Sequence, residues 1–234
     1  MFLTEQHEMV RKLTREFAEK ELTTDVLDQI EESGEFPEEI IQKMGKAGFY
    51  GVKIPKKYGG AGADSRSYVI MVEEIARVSA VTSLYANSPN SLGGGPLLLS
   101  GTEEQINKYL TPYVNGETIW AFGLTEPGAG SDAGGMTTTA VEDGDYYVLY
   151  GRKTFITMAP IADYTVVYAK TDLSKGTKGI TAFIVDMKIP GVSCGKNEHK
   201  MGLLGCATSD VIMQDVRIHK DGVRGEAGSD PLGT

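Results

Sequence analysis

Cysteine is scarce in this sequence. Two occur, Cys194 and Cys206, in no C-x-x-C spacing, which excludes a disulfide framework and a cysteine zinc site and fits a reducing compartment. Histidine is nearly as rare: His7, His199 and His219 are scattered, so no metal site is expected. Basic charge is short as well. Lys and Arg total 23 against 32 Asp and Glu, a net of −9, whereas a nucleic-acid partner calls for a basic face. An anionic small molecule stays possible, because backbone N–H groups hold such ligands locally. No apolar run approaches the roughly 18 residues of a membrane span, and no internal repeat or low-complexity tract stands out. The start M-F-L-T-E-Q-H-E enters an amphipathic helix at once, without the pattern of a signal or transit peptide. The expectation is a cytoplasmic protein with neither nucleic-acid nor membrane partners. With 41% hydrophobic and 24% charged residues, the chain also falls outside disordered, collagen-like and coiled-coil compositions.

Glycine is abundant, 29 residues, yet only Gly34, Gly45 and Gly48 lie in the first 50. That first stretch reads as helical. Residues 4–22 carry Val10, Leu13 and Phe17 on one stripe with Thr4 as N-cap, and 37–47 repeat the pattern with Ile40, Ile41 and Met44 between Pro37 and Gly48. A third helix is expected over 65–79 through Tyr68, Val72, Ile75 and Val78, and a short one after Thr102. The acidic run from Asp28 to Glu35 reads as a solvated face. After Gly116 the period becomes two. T-I-W-A-F-G-L (118–124) is a strand candidate, and two β-rich segments flank Asp143-Gly144, a hairpin signal. More strands follow at 153–157, 163–170, 179–186 and 209–218. Helices followed by strands, without βαβ alternation, indicate an α+β chain of two domains in series, 1–117 and 118–234.

The densest signal is G-L-T-E-P-G-A-G-S-D-A-G-G (123–135). Its G-A-G-S-D-A fits the loose G-x-G-x-x-A dinucleotide pattern, but that pattern must open a helix. Here glycines, Met136 and three threonines follow, all poor helix formers. What remains is a strand entering a long glycine-rich loop that a planar or phosphorylated ligand can approach closely. Taken alone, the same glycines could simply make turns.

Read as a whole, those thirteen residues resemble the first signature of the acyl-CoA dehydrogenase family. K-T-F-I-T (153–157) resembles the family's second flavin strand. K-M-G-L-L-G-C-A-T-S-D-V-I-M-Q-D-V-R-I (200–218) resembles the closing strands of its middle β-domain, and N-S-L-G-G-G-P-L-L-L-S-G-T-E-E-Q (90–105) its pocket-lining helices. Order and spacing agree, so the resemblance covers essentially the whole chain. It implies an N-terminal all-helical domain followed by a β-barrel-like or β-sandwich middle domain, without the family's C-terminal four-helix domain.

The resemblance also implies FAD as cofactor and an acyl-CoA as substrate. Phe122, Leu124 and Thr125 would lie against the flavin ring, with Thr125 bonding its edge, and Gly130 would meet the cofactor. Ser131 would reach both cofactor and acyl-CoA. Phe155 would pack on the ring where many members use Trp, and Ile156 and Thr157 would complete that strand, Thr157 near the reactive nitrogen. Ser88 and Leu92 would line the acyl pocket, although helix packing competes for Leu92. Trp120 and Cys206 read as core, and Lys56-Lys57 as a surface pair before a CoA-phosphate contact. Three departures stand out. Met158-Ala159 and Tyr150-Gly151 occupy positions where the family commonly has Asn-Gly, the latter in a turn, and Leu203-Leu204 replace a stretch that usually carries Arg.

The reaction implied is α,β-dehydrogenation of an acyl-CoA thioester or the reverse enoyl-CoA reduction. The family's catalytic glutamate lies in the C-terminal domain. G-E-A-G (225–228) resembles the lead-in to that domain, whereas S-D-P-L-G-T does not continue it. No catalytic residue is therefore assigned, and the chain alone is expected to be inactive. The alternatives are a non-catalytic FAD or acyl-CoA-binding remnant, one part of a split enzyme, or an acyl-CoA oxidase-like protein. For a full-length enzyme, electron-transfer flavoprotein and a homo-oligomer are the expected partners.

Overall fold

The computed structural model describes residues 3–224; the G-E-A-G lead-in lies outside them. The chain folds as two units. The first comprises Met1–Gly95, Ile106–Thr118 and His199–Cys206; the second comprises Pro96–Gln105, Ile119–Glu198 and Ala207–Thr234. Beyond the single division expected at 117, two segments therefore change sides. Residues 96–105 group with the strands, and 199–206 with the helices.

The first unit is built on α1 (Glu5–Glu21), α2 (Thr24–Ser33), α3 (Glu38–Lys46), α4 (Ser65–Ala76) and α5 (Ala80–Asn90). Thr4 caps α1 reciprocally: its hydroxyl accepts from the His7 amide, and His7 Nδ1 accepts from the Thr4 amide at 3.0 Å. The other His7 nitrogen reaches Asp64 at 3.1 Å, and Asp64 in turn caps α4 through the Ser67 amide. Small residues let α1 and α4 approach, with Thr14, Ala18 and Ser67 all fully buried. The buried face of α1 is thus His7, Thr14 and Ala18, flanked by Val10 and Phe17. Leu13, expected on that stripe, is 56% exposed. At 100° per residue it stands more than a third of a turn from Ala18.

Ile40, Ile41 and Met44 are buried on α3 as its periodicity predicts. The acidic segment read as a solvated face forms α2, which buries only Ile30 and ends on Gly34 in the left-handed conformation. Helix α5 is capped by Ser79, and its last residue, Asn90, ties down the irregular chain after α3. Asn90 Oδ1 accepts from the Lys53 amide at 3.0 Å, and Nδ2 donates to the Phe49 and Ala86 carbonyls. The 199–206 segment is held by Tyr85, whose hydroxyl donates to the Gly205 carbonyl at 3.0 Å, and it contributes the fully buried Cys206. The Lys200 ammonium closes the same loop on the Leu203 and Cys206 carbonyls.

Helix α6 (Gly94–Ser100) runs across the point where the two units divide. Helical residues resume at 103–114, interrupted by a π turn at Ile106–Leu110. The second unit is a single sheet of β1 (Trp120–Gly123), β2 (Thr139–Asp143), β3 (Tyr146–Thr157), β4 (Tyr164–Lys170), β5 (Ile180–Asp186), β6 (Val192–Cys194), β7 (Thr208–His219) and β8 (Val223–Arg224). The order is β6-β7-β3-β2-β4-β5-β8, with β1 parallel to β4. Tyr147 of β3 and Phe183 of β5 lie on strands separated by two others in that order, yet their rings stand 5.4 Å apart. The sheet therefore curls around one core, lined by Leu149, Val167, Phe183, Val185, Val211 and Val216 among others, the half-barrel form of the barrel-like reading.

The hairpin signal is displaced by one residue. Asp143 pairs with Tyr146, leaving Gly144-Asp145 as the turn with Gly144 at φ 61°, the first central position that a type II′ turn reserves for glycine. Tyr150-Gly151, expected in a turn, lies inside β3 instead. The pairing with β7 shifts there, and Gly151 lies so close to Thr138 that a Cβ would fall 2.4 Å from its hydroxyl oxygen. Glycine is used at that point for close approach.

Candidate functional site

The glycine-rich signature begins where β1 ends. Trp120 and Ala121 are buried as core, Phe122 and Leu124 half-buried, and the Phe122 ring lies 5.3 Å from Tyr168. The chain then turns at Pro127-Gly128, with Glu126 and Ala129 exchanging both backbone bonds, and proline suits the second position of such a turn. Asp132 closes the next turn by accepting from the Gly135 amide at 3.2 Å. Gly130 and Ser131 are exposed, and a Cβ placed on Gly128 or Gly130 would meet nothing within 4 Å. Packing therefore does not demand glycine at those two positions; the room around their backbone is open to a ligand.

The end of β3 runs beside this loop. The Thr154 amide donates to the Thr125 carbonyl at 2.9 Å. One residue on, pairing with β7 skips a residue: Lys153 faces Val211 and Ile156 faces Ser209. Phe155 sits in that irregularity at φ 56° and is 64% exposed. A left-handed backbone costs an ordinary residue about 1–2 kcal/mol, and an exposed phenyl ring gains little from packing to offset it. Met158 follows at φ 65°, buried, its amide donating to the Ala207 carbonyl. Asn would fit that conformation more cheaply, so the departure from Asn-Gly falls on a conformation for which Asn is suited.

Of the residues proposed to face a flavin, Phe122, Leu124 and Thr125 lie on β1 and the loop after it, Phe155 and Thr157 lie at the end of β3, and the two segments are joined by the Thr154–Thr125 backbone bond. Ile156 does not present its side chain there. It is 2% exposed and packed in the core of the sheet, because strand alternation turns it opposite to Phe155 and Thr157. Among the described residues, the hydroxyls of Thr125, Ser131 and Thr157 bond to no protein group. Ser88 and Leu92 belong to the first unit. The Ser88 hydroxyl lies 2.5 Å from that of the buried Tyr113, and Leu92 is 49% exposed, so Ser88 is already engaged.

Beneath the loop lies a feature the sequence did not announce. Lys153 is completely buried, and its ammonium donates to Glu126 Oε1 at 2.7 Å and to the Leu124 carbonyl at 3.2 Å. Glu126, also buried, accepts in addition from the Thr137 amide at 2.6 Å, the Thr137 hydroxyl at 2.8 Å and the Thr138 amide at 3.0 Å. Burial alone would raise the Glu126 carboxyl, but the bonds from Lys153, Thr138 and Thr137 outweigh it and hold the group well below the usual carboxylate range. Burial lowers the Lys153 ammonium against the pull of its partner. The available signal was charge in the wrong place: a lysine within a strand and a glutamate three residues after the end of another.

Two family models match the chain, the acyl-CoA dehydrogenase N-terminal domain over residues 4–117 and the middle domain over 121–216. The chain is 69% identical over 226 residues to the caffeyl-CoA reductase-Etf complex subunit CarC of Acetobacterium woodii, covering 97% of this chain and 60% of that protein. It is 60% identical over 226 residues, with the same coverage, to the 3-(aryl)acrylate reductase of Clostridium sporogenes. Among solved structures, it superposes on an acyl-CoA dehydrogenase from Bacillus anthracis complexed with FAD, with a TM-score of 0.86 and 33% identity over 98% of this chain and 39% of that one. The chain thus spans about 60% of the length of the two curated relatives.

Proposed function

This chain belongs to the acyl-CoA dehydrogenase family, and from that premise we propose that it forms the N-terminal and middle portions of an FAD enzyme that reduces the 2,3-double bond of an arylacrylyl-CoA thioester. The observation that carries the reading is the high identity, over nearly the whole chain, to two reductases whose names specify a caffeyl-CoA and an arylacrylate. The site is compatible with the cofactor. An exposed aromatic ring, an open glycine edge and, among the described residues, three hydroxyls without protein partners suit a planar ring with polar edges.

FAD, when bound, supplies the two-electron donor or acceptor. The chain's own residues bind and orient. Phe155 offers an apolar wall, Thr125 and Thr157 offer hydroxyls to the ring, and the loop at Gly130 and Ser131 offers backbone and a hydroxyl to the more polar part of the ligand. The Ile156 side chain supports the strand from behind, and Ser88 and Leu92 remain candidates for the acyl side. Reduction also needs a proton at the α-carbon. Glu126 does not supply it, being buried and committed to Lys153. Electron-transfer flavoprotein is the proposed redox partner, in keeping with the Etf complex named for the Acetobacterium relative, and a homo-oligomer is the proposed assembly. No helix among the described residues is long and apolar enough to cross a membrane, and we place the protein in the cytoplasm.

The test uses the full-length protein under anaerobic conditions. Its flavin is reduced, and caffeyl-CoA, cinnamoyl-CoA and crotonyl-CoA are added separately. Reoxidation by the two aryl thioesters, at least ten times faster than by crotonyl-CoA, is expected. Failure to take up FAD, or a preference for crotonyl-CoA, overturns the proposal.

A further inference from the structure

Among the described residues, Glu126 and Lys153 form the most deeply buried ion pair, their side chains 2% and 0% exposed. Such a pair is a poor device for stability alone, since desolvating two charges consumes most of what their attraction gains. Its contacts show what it arranges. Lys153 holds the Leu124 carbonyl, so the residue before Thr125 is fixed. Lys153 itself stands two residues before Phe155, and the intervening Thr154 amide bonds the Thr125 carbonyl. Glu126 draws in the far end of the loop through Thr137 and Thr138. One ion pair thereby fastens both ends of the glycine-rich loop and the strand that presents Phe155.

We propose that Glu126 and Lys153 are positioning residues for the flavin: their buried pair sets where the Thr125 hydroxyl and the Phe155 ring stand, and so sets the reduction potential of the bound cofactor. The proposal rests on the FAD reading above. A flavin's potential follows the difference between the protein's affinity for its oxidised and reduced forms, which donors at the ring edge and the wall beside the ring determine. Moving those groups alters that difference even when the cofactor stays bound.

The test compares flavin-loaded, full-length wild type with Glu126→Asp, which keeps the charge and shortens its reach, and with the double variant Glu126→Gln/Lys153→Met, which leaves no lone buried charge. The readouts are the flavin's visible absorption spectrum and its potential by dye-linked titration. A change of at least tenfold in the ratio of affinities for oxidised and reduced flavin is expected in both variants, a shift of about 30 mV for a two-electron couple, with an altered spectrum. If the double variant fails to fold, Glu126→Asp alone decides the matter. Variants with lowered melting points but wild-type spectrum and potential would show the pair to be structural only and overturn the proposal. Failure of the wild type itself to bind FAD would instead overturn the cofactor reading.

Discussion

Phe155 is held at φ 56° with 64% of its surface exposed, and replacing it tests the local backbone directly. In Phe155→Ala the left-handed strain of about 1–2 kcal/mol remains. The third of the ring that is buried is lost, about 0.5–1 kcal/mol on the usual 1.5–3 kcal/mol for a whole Phe. Phe155→Gly loses the same contact but relieves the strain, at an entropic cost of about 0.5–1 kcal/mol relative to Ala. Gly is therefore the more stable variant by about 0.5–1 kcal/mol, the reverse of an ordinary strand position. For a domain of about 150–250 residues this is roughly 1–4 °C in melting temperature. Thermal and urea denaturation of the two variants, side by side and flavin-free, measures it. A Phe155→Ala protein that melts above Phe155→Gly would refute the strained bulge. Flavin affinity supplies a complementary readout: both variants should bind FAD about 2- to 10-fold more weakly, the value of one aromatic stacking contact, although they differ in stability.

Three further outcomes are expected. Asn90→Ala removes an acceptor for the half-buried Lys53 amide and donors to the Phe49 and Ala86 carbonyls; leaving the Phe49 carbonyl and the Lys53 amide without that partner should cost about 1–3 kcal/mol, read as a lower urea midpoint with an unchanged slope. The carboxyl of Glu126 falls from an ordinary 4.5 to about 2 in the folded protein, so the stability it contributes is full above about pH 5 and is lost as pH falls toward 2; a flavin-free Glu126→Gln variant should show a flatter acid limb than wild type, and identical limbs would refute the assignment. Cys206 is fully buried, and burial pushes its thiol up to about 11, whereas Cys194 is exposed; a maleimide near neutral pH should label Cys194 alone under native conditions, as mass spectrometry of digested protein would reveal.

Periodicity located most of the elements that carry the site. The strand into the glycine loop, the paired strands around Asp143 and the later strands fall where the two-residue pattern placed them, since each buries a face that must alternate. What the pattern could not reach was determined by distant partners. Leu13 is exposed because the small Thr14 and Ala18 allow α1 and α4 to approach, a matter of side-chain size rather than polarity. Helix α5 lacks a clean apolar stripe and owes its capping to Ser79. Ile156 was grouped with the flavin contacts through its neighbours in a shared motif, yet alternation turns it into the core. Lys153 sits at an interior position of β3, where a lone charge has no reading until Glu126, 27 residues earlier, is brought to it.

The placement of local disagreements carries information of its own. Among the described residues, four non-glycine positions have left-handed backbones: Phe155, Met158, Leu203 and Asp215. Asp215 is accounted for by an exposed bond to the Tyr150 hydroxyl, and Leu203 by a loop that Lys200 closes on its carbonyl. Phe155 and Met158 lie within four residues of each other, at the end of the strand that also contains the buried Lys153. Two strained bulky residues and a desolvated ammonium within six positions oppose the stability rules that the rest of the sheet obeys. A sequence tolerates such a concentration where the strained geometry is itself useful. Local physics therefore directs attention to the β3 terminus and the loop beside it, where the family resemblance would set the cofactor.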